Sequence, residues 1–183
     1  MDIGLIALAA IAAVASLIAL KAFRASGRGR LIKSVASELG LAYSSQFMGA
    51  SRANGHIRGF EVIIDTVGVS LRVRVIHNGN VGEGFTVGKA DYLAGAARKP
   101  GFMKFECVNP EFMGRFRVKG GDPETVKRYL DADMQGKITS CGIGFTIGRH
   151  DISYVDNGSV KDKKTLVNVV NLVIEAADKA QKI

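Results

Sequence analysis

The hydrophobic pattern of this chain changes character three times along its length. From Ile3 to Leu20 it is continuous: IGLIALAAIAAVASLIAL runs for 18 residues without a charged side chain. A helix of that length reaches about 27 Å, close to the roughly 30 Å hydrocarbon core of a bilayer. A buried globular helix fits poorly, because no polar face exists over five turns. A cleaved secretory signal, with Ala13-Val14-Ala15 as its cleavage site, also fits poorly: Asp2 precedes the stretch and no Lys or Arg does. The pattern therefore predicts a transmembrane anchor over 1–23.

Two features give that anchor a face and a direction. Ala9, Ala12, Ala13, Ser16 and Ala19 share one side of the predicted helix, and small residues allow a partner helix to approach closely. Lys21, Arg24, Arg28, Arg30 and Lys33 follow the span. The positive-inside rule then predicts a single-pass protein of the inner (cytoplasmic) membrane. Its N-terminus would lie outside and its C-terminal domain in the cytoplasm. The five basic residues would also meet anionic lipid headgroups. Residues 24–30, RASGRGR, read as a flexible basic juxtamembrane linker, and 31–183 as one cytosolic domain.

Within 31–183 the period shifts first towards two and then to 3.6. Leu31, Val35 and Leu39 recur every four residues before Gly40, which predicts a short helix. Gly59 to Thr66 and Val69 to Ile76 predict two strands around a turn at Val67-Gly68. In the second, Val69, Leu71, Val73 and Val75 alternate with Ser70, Arg72 and Arg74, the signature of a half-buried strand. Gly84 to Gly88 and Phe102 to Val108 are weaker strands, with a short helix or loop over Asp91 to Lys99. Arg115 to Lys119 predicts a strand with Phe116 and Val118 inward. Asp122-Pro123-Glu124 supplies a cap, a first-turn proline and an acidic first turn to a helix with Val126, Tyr129, Leu130 and Met134 on its apolar side. Ile143 to Ile147 and Asp151 to Val155 predict a hairpin. Lys163 to Lys182 predicts an amphipathic helix with Leu166, Val169, Val170, Val173, Ala177 and Ala180 on one stripe. The expected class is α+β: a transmembrane helix, then one domain of mainly antiparallel sheet with helices packed on one face.

Charge changes the picture only modestly. Of the formal +8, half comes from the first 33 residues, so the remaining 150 carry an unremarkable excess. That argues against nucleic-acid binding, which calls for a larger basic patch. Cys107 and Cys141 are too few and too far apart for a disulfide framework.

EFMGRFRVKGGDPETVKRYL at Glu111 to Leu130 joins an aromatic-rich strand, a Gly-Asp-Pro-Glu turn and a helix. GHIRGFEVII at Gly55 to Ile64 adds a Gly-x-x-x-Gly strand entry. Together with the apolar N-terminal stretch, these segments resemble a domain of unknown function found in many prokaryotic membrane-anchored proteins. The resemblance implies an anchored α+β architecture; it brings no activity and no catalytic residues with it.

Candidate chemistry is sparse. His56, His77 and His150 are separated, and no Cys-x-x-Cys or His-x-x-x-His spacing occurs, so no metal and no cofactor is expected. Ser140-Cys141 precedes a predicted strand without a Gly-x-Ser-x-Gly elbow. Gly142, Gly144 and Gly148, like Gly82, Gly84 and Gly88, have the wrong spacing for a dinucleotide loop and suit bends or close backbone approach. Two basic pairs remain, Arg72 with Arg74 and Arg115 with Arg117. Each alternates with apolar residues and is expected to project from one sheet face, either solvated or docking a partner. The expectation is a non-catalytic accessory subunit that docks its α+β domain onto integral membrane proteins of a larger complex, with a respiratory or photosynthetic assembly as one host. A ligand-binding or sensory module is the alternative, and an enzyme with a site assembled from distant residues is the third.

Overall fold

The computed structural model describes residues 27–45, 50–79, 81–90, 109–156 and 158–183. Its centre is an eight-stranded antiparallel sheet in the order β1-β2-β3-β4-β8-β7-β5-β6. The strands are β1 (Ala42–Ser45), β2 (Ser51–Ile57), β3 (Phe60–Val67), β4 (Ser70–Ile76), β5 (Phe85–Lys89), β6 (Phe116–Lys119), β7 (Thr146–Ile147) and β8 (Asp151–Asp156). The helices are α1 (27–39), α2 (Pro110–Arg115), α3 (Pro123–Tyr129), α4 (Ala132–Cys141) and α5 (Lys163–Ala180).

Local chemistry sets the element ends. Asp122, Asp131 and Asp162 each cap a helix by accepting the N–H of Thr125, Met134 and Thr165. Gly142, at φ +66°, closes α4 in the left-handed conformation. Alternation aims one side of each long strand at the helices, although on β3 Ile63 of the other side is buried as well. On β4, Leu71, Val73 and Val75 are buried and Arg72 and Arg74 half-buried. On α5, Leu166, Val169, Val170, Val173, Ala177 and Ala180 are buried, and they join the inward strand residues in one core with Ile32, Val35 and Ala36 of α1. Phe85 and Tyr129 meet edge to face there, and the Tyr129 hydroxyl donates to the Ala176 carbonyl at 2.6 Å.

Antiparallel sheet, helical cover and most strand positions agree with expectation; a membrane-spanning helix is not found in the described part of the chain. Among the described residues no helix is long and apolar enough to cross a membrane. The longest of the elements, α5, has 18 residues, but its outward side carries Lys163, Lys164, Glu175, Asp178 and Lys179, which suits an interface between core and water. The fold class is therefore corrected to a mixed α/β domain in which none of the described helices spans a membrane. The single-pass localisation, with an outside N-terminus and a cytoplasmic domain, is corrected with it. The stretch 1–23, with Ala9, Ala12, Ala13, Ser16, Ala19 and Lys21, lies outside the described residues, as do Arg24, 91–99, 102–108 and Cys107.

Smaller differences have local causes. The proposed linker is not all loop, since 27–30 form the first described turn of α1. Gly29 packs there so closely on Ser51 that a Cβ would lie 2.7 Å from its hydroxyl oxygen. Asp131 starts a new helix, so Met134 belongs to α4 rather than to the helix of Val126, and Ser140-Cys141 ends a helix instead of preceding a strand. Val69 is not inward: it sits in the turn after Gly68 and is 53 % exposed.

Candidate interaction face

The helices cover one side of the sheet, and the other side carries the arginines singled out in the sequence. Register shows which residues share it. Ala42, Asn54, Ile63, Arg74, Ser153, Thr146, Thr86 and Lys119 form one row across all eight strands. Of these Ile63 is buried, although it faces away from the main core. A second row, Arg52, Asp65, Arg72 and Val155, runs over β2, β3, β4 and β8.

The charges on this face are paired across strands. Arg72 grips Asp65 with both arms of its guanidinium, Nε to Oδ1 at 2.9 Å and Nη2 to Oδ2 at 2.6 Å. This planar fork holds both side chains in one orientation, and the Asp65 bond keeps the Arg72 guanidinium above its ordinary pKa. Arg74 Nε lies 3.8 Å from Asp151 Oδ2. Beside these charges Val155 is 49 % exposed, and Val67 and Val69 stand out at the β3–β4 turn. The face thus offers oriented charge next to exposed aliphatic surface, a composition suited to recognising another molecule.

Next to Val155 the sheet splits. β7 pairs with β8 only at Thr146–Ser153 and Ile147–Ile152. The preceding residues stay with β5 instead, where Phe145 accepts the Val87 N–H at 2.9 Å. Gly144 is required there, because a Cβ would collide with the Val87 carbonyl. The result is an open cleft of about 350 Å³ lined by Thr86, Gly144, Ser153, Tyr154, Val155 and Ser159 among others.

Behind the cleft, the carboxylate of Asp156 is fully buried at the end of β8. It accepts the N–H groups of Gly158, Ser159 and Val160 at 2.9, 2.7 and 3.0 Å and the hydroxyls of Ser159 and Tyr154 at 2.6 and 3.1 Å. Burial alone would raise its pKa; these donors outweigh burial and hold it below the usual carboxylate range. Burial drives the Tyr154 phenol up, so this group stays protonated. Such a network fixes the β8–α5 connection.

Of the predicted pairs, the fold keeps Arg72 with Arg74 and separates Arg115 from Arg117. Arg115 is the last residue of α2; its Nη1 donates to the Thr139 carbonyl at 3.1 Å and to Glu111 Oε1 at 3.2 Å. It ties α2 to α4 instead of projecting from the sheet. Arg117 does face outward, at the far edge strand β6, where it bonds the Met113 and Phe116 carbonyls. Among the basic flank, Arg28 turns inward, with Nη2 3.9 Å from Asp156 Oδ2, whereas Arg30 and Lys33 are exposed. Cys141 is half-buried and its thiol is pushed up by burial, which disfavours a nucleophilic thiolate.

The sequence reading singled out neither Asp65 nor Asp156; it weighed His77 only as a metal ligand and placed Asp151 at the start of a hairpin strand. The Asp65–Arg72 pair had a signal: both lie the same number of residues from the Gly68-Val69 turn. His77 is 2 % exposed and neither ring nitrogen has a hydrogen-bond partner, so burial lowers its pKa despite the Gly148 carbonyl and Asp151 nearby. Nothing in its local sequence marks it. Among the described residues no cluster of His, Cys, Asp or Glu has the arrangement of a metal site.

No family model and no curated protein matches the chain. Among solved structures, the chain is similar to the mycobacterial trehalose monomycolate transport factor A, TtfA, with a TM-score of 0.61 at 15 % identity over 84 % of this chain and 94 % of that one. At that identity the likeness is one of fold.

Proposed function

We propose that this domain is a non-catalytic accessory module that docks another protein of a larger assembly on the open face of its sheet. The observation that supports this most is the Asp65–Arg72 fork beside exposed Val155: a rigid, oriented ion pair next to apolar surface, on the side the described helices leave uncovered. Paired surface charges of this kind add little to stability but steer and orient a partner. Two of the buried titratable groups are spent on structure: Asp156 on a loop, Tyr129 on α5. The fold neighbour TtfA is called a transport factor, and a part played in a larger process agrees with an accessory role.

A photo-cross-linking side chain placed at Val155, and separately at exposed Asn168 on α5, tests this in cells that make the protein. One discrete adduct is expected from Val155 alone, and it should vanish when Arg72→Glu and Arg74→Glu are added. Equal adducts from both positions, or none from Val155, would overturn the reading.

A second reading, a ligand-binding module, draws on the cleft beside β8, which Ser153 and Ser159 help to line. It predicts that Ser153→Phe abolishes binding of a small polar ligand while leaving the Val155 adduct intact.

A further inference from the structure

Outside the sheet face, the described residues bring one basic groove together, between α1 and the start of α5. Arg30, Lys33, Ser34, Ser37, Glu38 and Lys163 line it. Arg30, Lys33 or Ser34, and Ser37 succeed one another at helical spacing, so they share the exposed side of α1. Arg30 and Lys33 have no ion-pair partner among the described residues. Lys163, from the other wall, reaches Glu38 Oε2 at 2.5 Å.

The balance of charge distinguishes this groove from the one between α4 and α5. There Lys137 bridges Asp133 at 2.9 Å and Glu175 at 3.1 Å, and the acidic groups hold their counterion. In the α1–α5 groove three cations face one carboxylate, and that carboxylate is at the end where Lys163 holds it. Ser34 and Ser37 line the same groove and add hydroxyl donors. A set rich in donors, with two uncompensated positive charges, matches the oxygens of a phosphate ester. Arg28 shows that the basic run was not placed there uniformly, since its guanidinium turns to Asp156 instead.

We propose that this groove binds a phosphate group, with Arg30 and Lys33 as the principal contacts and Lys163 recruited when it leaves Glu38. The phosphate of a lipid headgroup and a free phosphate compound share this chemistry. The experiment separates them by titrating the full chain with inorganic pyrophosphate and with short-chain phosphatidic acid below its micelle concentration, short-chain phosphatidylcholine serving as the neutral control. Binding of pyrophosphate alone assigns a free phosphate. Tighter binding of phosphatidic acid assigns a headgroup. In either case Arg30→Glu with Lys33→Glu should weaken binding more than tenfold. Arg117→Glu, on the far sheet edge, should leave it unchanged. Glu38→Gln should tighten it several-fold by freeing Lys163, and added salt should weaken it. These positions are exposed, and an unchanged unfolding midpoint confirms that each variant is folded. The proposal is overturned if neither anion binds, if Arg117→Glu weakens binding as much as the double variant, or if Glu38→Gln does not tighten it.

Discussion

The two sides of β4 follow different physics. Leu71, Val73 and Val75 are almost completely buried against the helices, while Arg72 and Arg74, one residue along each time, stand half-exposed and pair with Asp65 and Asp151. On the inner side, removal of apolar area from water drives folding and geometry matters to the methylene. On the outer side, the half-exposed ion pairs contribute less to stability than the apolar core, but they hold long side chains in fixed orientations. Stability and recognition are thus assigned to opposite faces of one strand, and substitutions on the two faces should separate them.

The largest effect should come from the buried side. Ile152→Ala on β8 leaves a cavity and should lower unfolding free energy by about 2–5 kcal/mol, whereas Ser153→Ala on the opposite face should change it by less than about 0.5 kcal/mol. Urea denaturation of the two variants measures the contrast directly; similar midpoints would remove the distinction between faces.

Asp156→Ala strands several buried donors, and the expected loss is about 3 kcal/mol. The pH dependence has a definite sign. The folded pKa lies below the unfolded value, so the contribution of Asp156 is present above the unfolded pKa near 4 and is lost as pH falls through the folded one. Asp156→Asn should therefore flatten the acid limb of stability against pH.

Tyr129→Phe keeps the ring contact with Phe85 but leaves the Ala176 carbonyl without its hydroxyl donor, for an expected loss of about 1–2 kcal/mol in the same denaturation assay.

His77 tests the inner side by charge. Its folded pKa lies below the ordinary 6.5, so its neutral form contributes fully above that value, and stability falls as pH drops from there towards the folded pKa. His150 and Asp151 face it and Arg74 pairs with Asp151, so the variant His77→Leu isolates its part. Thermal unfolding of this variant between pH 7 and pH 5 should show a weaker dependence than the parent.

A smaller stability effect belongs to the outer face. Arg72→Ala leaves the half-buried Asp65 carboxylate without its partner and should lower unfolding free energy by about 1 kcal/mol while eliminating the cross-linked adduct at Val155. A large loss of stability with the adduct intact would reverse the assignment of the two faces.

Much of the fold was legible where the signal was local. The stripe Leu166 to Ala180, the alternation Leu71 to Ile76 and the Asp122-Pro123 start each depend on a few neighbouring residues, and each occurs where it was expected. β1 and β2 were not legible, because SRANGHI carries little apolar alternation and owes its strand state to pairing with β3. α4 was obscured because Leu130 and Met134 continue the periodicity of α3 across the break at Asp131. Of the site, Arg72 and Arg74 could be read from alternation, but Arg115 could not be told from a strand residue until α2 claimed it.

By itself, the sequence determined the period of β4 and α5, the Asp122-Pro123 start of α3 and which side of β4 would be buried. These rest on interactions among residues a few positions apart. Tertiary structure decided the rest. It paired Asp65 with Arg72 through a turn placed one residue later than expected. It parted β7 from β8 to open the cleft, and it carried Lys163 to Glu38 across 125 positions of chain. It also left no described helix able to cross a membrane. Such outcomes depend on register and on the packing of distant segments, and no local pattern of hydrophobic and polar residues encodes either one alone.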